Sequence, residues 1–133
     1  MRRFLLDTHV WIWMNLEPQK LGAEALKILS SPEKSGELFL SAISIWEFSK
    51  LLEKKRLQIT CHPEKWIWEA LDIPGLQLAP LTPSIAYNST CLPGPFHDDP
   101  ADQIIVATAR EEDAVIITAD KRIQDYRHVR CIW

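Results

Sequence analysis

Short apolar runs alternate with segments of helical spacing along the chain, and this alternation restricts the fold more than any other feature. The runs are Arg3–Leu6, Leu38–Leu40, Leu76–Leu78, Ala114–Thr118 and Val129–Ile132. Between them, Thr8–Leu16, Ala23–Ser31, Ser44–Lys55, Pro63–Leu71, a segment opening at Pro83 and Pro100–Glu112 repeat their apolar residues with helical period. Glu17-Pro18 ends the first helix and Pro32 the second, Pro74-Gly75 makes a turn, and Leu92–His97 is loop. Alternating strands and helices need right-handed crossovers. The expected architecture is therefore α/β, a central, mainly parallel sheet with helices on both faces. Pro100–Glu112 carries Ala, Ile and Val on most faces, so it should be nearly buried.

At 133 residues, with 47% hydrophobic and 25% charged residues, the chain reads as one globular domain spanning 1–133, without repeat or linker. Apolar stretches such as Ile104–Ala107 are too short to cross a bilayer, so no membrane association is expected. The N-terminus begins like a signal peptide but meets Asp7 almost at once, which favours a first strand in a cytoplasmic protein. Cys61, Cys91 and Cys131 lie far apart and suggest neither a disulfide framework nor a thiolate zinc site. A net charge of −3 argues against coating nucleic acid through bulk charge. Any RNA contact must use local patches, for which Lys50, Lys54, Lys55 and Arg56 form one group and Lys121, Arg122, Arg127 and Arg130 another. Of the six Trp, Trp11, Trp46 and Trp66 are placed for burial, whereas Trp13 and Trp68 suit a protein interface.

Four acids, Asp7, Glu47, Asp102 and Asp120, each follow a strand-like run near a helix start. Singly, each has an ordinary role. Asp7 or Thr8 fits an N-cap, Ser44 to Glu47 a capping box, Asp99-Pro100 a helix start with Asp102 in the first turn, and Asp120 a cap for Lys121-Arg122. Together they would crowd the carboxyl edge of a parallel sheet, where ligands bind. Like charges at close range repel unless a cation neutralises them, and an all-oxygen cluster suits Mg²⁺ or Mn²⁺. No His spacing fits a zinc site and no Ser-His-Asp or Cys-His pair stands out. His97 is the exception to a surface role, as a phosphate contact or an orienter of Asp99. Thr118, two residues before Asp120, is either a ligand-orienting hydroxyl or an ordinary β-branched strand residue.

The segments Leu5–Trp11, Ser44–Glu47, His97–Ala109 and Ile117–Asp120, in this order and spacing, resemble the PIN-domain ribonucleases, specifically VapC-type toxins. The resemblance runs from the first strand almost to the C-terminus. It implies a three-layer α/β/α fold, a Mg²⁺- or Mn²⁺-dependent endoribonuclease and a cognate antitoxin that masks the site. It places Asp7, Glu47 and Asp102 as core metal-site and catalytic acids and Asp120 as the more variable fourth. Asp99 matches the Asp of a frequent H-x-D-P segment, as metal neighbour or helix cap. Where the family often has Arg, a large aromatic and Arg, this chain has Asp98, Ala101 and Gln103, which bears on RNA affinity rather than on the ligand set.

The implied chemistry is in-line attack of water on an RNA phosphodiester, leaving a 5′-phosphate and a 3′-hydroxyl, with room for a second metal. A homodimer is expected from the aromatic surface and the family habit. An antitoxin segment is expected to cross a groove near Trp13, Ile43 and Leu51 and to direct a cation at Asp7, Glu47 and Asp102. The competing expectation is a catalytically silent PIN-like module that binds RNA or protein. A receiver-like phosphoacceptor is disfavoured, because Asp7 lacks a neighbouring Asp and no Lys-Pro follows the late strand.

Overall fold

The apolar runs form five strands, β1 (Arg3–Leu6), β2 (Glu37–Ser41), β3 (Leu76–Ala79), β4 (Val115–Ile117) and β5 (Arg130–Ile132), in a computed structural model that describes residues 2–133. Only Met1 lies outside the described residues. The strands pair in the order β3-β2-β1-β4-β5, and every pairing is parallel. Parallel strands need crossovers, which here are helical: α1 (Thr8–Leu16), α2 (Ala23–Leu29) and α3 (Pro32–Ser35) lead from β1 to β2, α4 (Ala42–Glu53) and α5 (Pro63–Leu71) to β3, α6 (Pro83–Asn88) and α7 (Pro100–Glu112) to β4, and α8 (Lys121–Gln124) to β5. The chain leaves β1 toward β2 on one side and returns to β4 on the other. That reversal of strand order opens a crevice at the carboxyl ends of β1 and β4.

Two apolar clusters sandwich the sheet. On one face Phe4, Leu6, Leu38 and Leu40 meet Trp11, Phe48 and Trp66; on the other Leu5, Phe39 and Ile116 meet Ile105, Val106 and Ile123. Side chains such as Phe4, Leu6, Trp11 and Ile105 are fully buried, each worth roughly 1.5–3 kcal/mol of transfer free energy. Trp11 meets Phe48 and Trp66 edge-on and donates its indole N–H to the Ala70 carbonyl at 2.9 Å, so this large side chain enters the core without an orphaned donor. α7 is buried along Ala101, Asp102 and Ile105–Ala109, as its composition requires.

Three local expectations need correction. Pro32 does not simply stop a helix: it opens the one-turn α3, at the position where a missing N–H costs nothing. Ser44 does not begin α4. β2 runs straight into that helix, Ser41 is the cap whose hydroxyl accepts from the Ile43 N–H at 3.2 Å, and Ser44 lies buried inside the first turn. Trp46 is 53% exposed rather than buried, because the helix turns Phe48 inward and the position two residues earlier outward. Among the described residues no helix is long and apolar enough to cross a membrane.

Candidate active site

Asp7 follows the last residue of β1, and its backbone N–H still donates to the Ile117 carbonyl of the neighbouring strand at 3.0 Å. The sheet thus fixes where this carboxylate starts. Asp7 also caps α1, with Oδ1 accepting from the Thr8 N–H at 2.8 Å and Oδ2 accepting the Thr118 hydroxyl at 2.7 Å. Thr118 in turn accepts from the Asp120 N–H at 2.9 Å, so one buried threonine ties the ends of β1 and β4 together. Thr118 stands one residue beyond β4, and its hydroxyl is an orienting group rather than part of the strand.

Asp120 caps α8 and Asp99 caps α7, accepting respectively from the Arg122 N–H and the Asp102 N–H, both at 2.9 Å. Asp102 stands in the first turn of α7, where the positive helix end favours a carboxylate. Glu47 arrives differently. It projects from the second turn of α4, not from a strand end, and is held by Thr8, whose hydroxyl donates to it. Because that proton is committed to Glu47, the 2.8 Å contact between Thr8 and Ser44 has the serine as donor. Ser44 therefore steadies an acid's partner instead of a helix end.

Asp7, Glu47, Asp99, Asp102 and Asp120 line one cleft of about 360 Å³, together with His9, Trp13 and Arg122. Glu47, Asp99 and Asp102 each offer an oxygen within 4.8 Å of the others. The donors are all carboxylate oxygens, the set preferred by hard divalent cations. The charge balance points the same way. Burial raises the carboxyls of Asp7 and Asp102 above their ordinary values and pushes Glu47 up to about 7, despite hydrogen bonds from Thr118, His97 and Thr8 that oppose the shift. Their acid neighbours raise all three further, Asp120 acting on Asp7, Asp7 on Glu47 and on Asp102. Three acids short of positive charge are what a bound cation would correct. Asp120 is the exception: burial would raise it too, but Arg122 holds it below the usual range through hydrogen bonds and charge.

His97 does not orient Asp99. Its Nε2 lies 2.7 Å from Asp102 Oδ2, because the loop before α7 is pinned by the Gln103 side chain, which donates to the His97 carbonyl at 3.1 Å. Asp99 is a helix cap and, at the same time, a member of the tight carboxylate group. Arg122, expected in a basic patch and in the turn capped by Asp120, extends its guanidinium to Asp120 at 3.1 Å and also to Asp102 at 3.5 Å. Its one local signal is its position two residues after a capping Asp.

Trp13 stands on the cleft wall beside His9, with ring centroids 5.8 Å apart, and is backed by Trp133 at 5.9 Å. The wall depends on Gly22, where a Cβ would lie 2.7 Å from Trp133. Ile43 and Leu51 are both partly buried on α4, Ile43 packing against one apolar cluster of the sheet and Leu51 against the other.

The family model of the PIN domain matches residues 4–129. The chain belongs to the PIN-domain family. It is 35% identical over 130 residues to Ribonuclease VapC22 of Mycobacterium tuberculosis, covering 98% of this chain and 96% of that protein. VapBC2 from Rickettsia felis, bound to a DNA fragment from its promoter, superposes with a TM-score of 0.69 at 15% identity over 98% of this chain and 97% of that one. A toxin-antitoxin complex from Klebsiella pneumoniae gives 0.64 at 24% identity, over 94% and 93%. At those identities the structural likeness is one of fold. Within this PIN domain, Gln103 stands where the resemblance led us to look for Arg, and Arg122 brings a positive charge into the cleft from α8 instead.

Proposed function

We propose that this PIN domain is a divalent-metal-dependent endoribonuclease that acts in the cytoplasm as the toxin of a toxin-antitoxin pair. The observation that carries the reading is the convergence of five carboxylates on one cleft, three of them with raised carboxyl pKa values. Kinship with a named ribonuclease, and the fold shared with toxin-antitoxin complexes, support it.

Asp7, Glu47, Asp99, Asp102 and Asp120 would hold Mg²⁺ or Mn²⁺. When bound, such an ion supplies Lewis acidity that polarises a phosphodiester and makes water a stronger nucleophile. The chain's own contribution is positional. Thr118 aims Asp7, Thr8 aims Glu47 and His97 aims Asp102, so that each carboxylate would meet the ion already oriented. Arg122 can leave Asp120 for a substrate phosphate oxygen, since its side chain is largely exposed. The strand would be cut by in-line water attack, leaving a 5′-phosphate and a 3′-hydroxyl.

We propose further that the protein is a homodimer, because Trp46, Trp68 and Tyr87 are more than half exposed and scattered large aromatics suit an interface. An antitoxin would enter from the Trp13 side of the cleft and direct a cation at the acids. Co-expression tests the whole reading. The chain alone should arrest growth, Asp7→Ala should not, and RNA from arrested cells should carry new 5′-phosphate ends. If Asp7→Ala arrests growth as the wild type does, a silent RNA- or protein-binding module is the better account.

A further inference from the structure

A second pocket of about 380 Å³ adjoins the acidic cleft: Arg122 lines both, and His97, on the wall of the second, reaches Asp102 of the first at 2.7 Å. Its character is opposite. Phe96, Tyr126 and His128 line it, Arg127 stands at its rim, and its wall continues through His97. The rings form one contiguous run: Phe96 lies 4.2 Å from His97 and 4.8 Å from Tyr126, and Tyr126 lies 5.4 Å from His128, measured between centroids. Tyr126 is buried in the second apolar cluster, and the partly exposed Phe96 and His128 offer the open ring surface. The run is rigid, because the Tyr126 hydroxyl donates to the Pro93 carbonyl and the His128 carbonyl accepts from Arg110 at 2.6 Å. The one acid among the lining residues, Asp125, is paired with Lys121 at 2.8 Å.

We propose that this pocket is a nucleobase subsite, which receives the base next to the phosphate held at the acidic cleft. The inference rests on the nuclease reading of that cleft. Every base has a π-face, and aromatic or guanidinium planes beside a cationic rim are the chemistry that holds an unstacked base. Arg122 lies between the two pockets, where it can meet the phosphate that links a base in one to the reacting bond in the other. A protein with net charge −3 has few places that welcome a polyanion, and this one is continuous with the candidate site. The occupant is therefore a base of a single-stranded segment, since a base still stacked in a helix cannot enter.

The test uses a fluorophore-labelled single-stranded RNA of mixed sequence and a companion set carrying one abasic ribose at each position in turn. Cleavage is followed with Mg²⁺, and equilibrium binding by anisotropy with Ca²⁺. The variants are Phe96→Leu, which keeps apolar volume but removes the ring, and Arg127→Ala at an exposed position that does not endanger folding. One abasic position flanking the cut should lower both cleavage and binding about tenfold in the wild type. Phe96→Leu should lower them similarly on intact RNA and show no further loss at that abasic position. Arg127→Ala should weaken intact and abasic RNA alike. Cleavage without any position whose effect vanishes in Phe96→Leu overturns the subsite and leaves the nuclease standing. Binding with such a position but no cleavage keeps the subsite and removes the nuclease. Neither binding nor cleavage removes both.

Discussion

Strand β1 serves two regions of opposite character. Phe4, Leu5 and Leu6 are sealed among apolar side chains, whereas Asp7, one peptide further, is nearly as deep at 6% exposure and shares its cleft with four other acids. In the core each buried group has its complement, down to the Trp11 indole N–H on the Ala70 carbonyl. In the cleft the hydrogen bonds are made but the charges remain unbalanced. A fold can keep such a cluster because the strand beneath it is anchored elsewhere, and sites built for chemistry are where local stability and function diverge.

The largest effect should come from the core. Trp11→Ala removes a fully buried indole and strands the Ala70 carbonyl, and should lower stability by about 3–5 kcal/mol. A urea melt reads this directly, and whatever fraction stays folded should bind metal normally. A small change in midpoint would mean that the aromatic cluster is not the anchor.

Asp7→Asn should invert that pattern. The amide can keep the cap on Thr8, so the metal-free protein should melt no lower than the wild type, and relief of a buried, crowded charge should raise its melting point. RNA cleavage should nevertheless fall by on the order of 10² to 10³. If stability and cleavage fall together, Asp7 is structural and the two regions are not separable.

Thr118→Val sits between these extremes. It deprives Asp7 of a donor and the Asp120 N–H of an acceptor without altering the strand's shape. Metal affinity should drop roughly 10- to 100-fold, the usual cost of losing a ligand's orienting partner, and Thr118→Ser should restore most of it. Isothermal titration with Mn²⁺ separates this from a plain folding defect, which serine would not rescue selectively.

How far each region was legible follows from the range of the interactions that build it. α1, α5 and α7 begin where the sequence says, because Asp7, His62-Pro63 and Asp99-Pro100 carry their capping signals within three residues. α4 was misplaced because Ser44 and Glu47 satisfy the same local pattern, while a contact 36 residues away, with Thr8, claims the serine. Trp46 lies about 200° around the helix from the buried Phe48 and so faces solvent, which local pattern alone does not reveal. The parallel sheet could be inferred from alternation, and with it a shared edge for the acids. The roles of His97 and Arg122 could not, since each depends on where a loop or a one-turn helix lands beside Asp102.

The effect most specific to the comparison is the pH dependence of the metal-free protein. Glu47 moves from 4.5 to about 7 on folding, and Asp7 and Asp102 move in the same direction, chiefly through burial. Folding therefore binds protons at these groups. Their contribution to stability is complete below the unfolded values and is lost as pH rises through the folded ones. Asp120 shifts the other way, but its effect falls below its ordinary value of 3.8, outside this range. The melting temperature without metal should accordingly decline between pH 5 and about 7 by several degrees, since the rise of Glu47 alone is worth up to about 3 kcal/mol and about 1 kcal/mol shifts a domain of this size by some degrees. Added Mg²⁺ should flatten the decline, so that the metal-induced shift grows with pH as the carboxylates ionise and bind. Calorimetry at pH 5, 6 and 7 with and without Mg²⁺ decides it. A metal-free melting point that rises over this interval would show that the acids are already compensated within the fold, and the contrast between core and cleft would disappear.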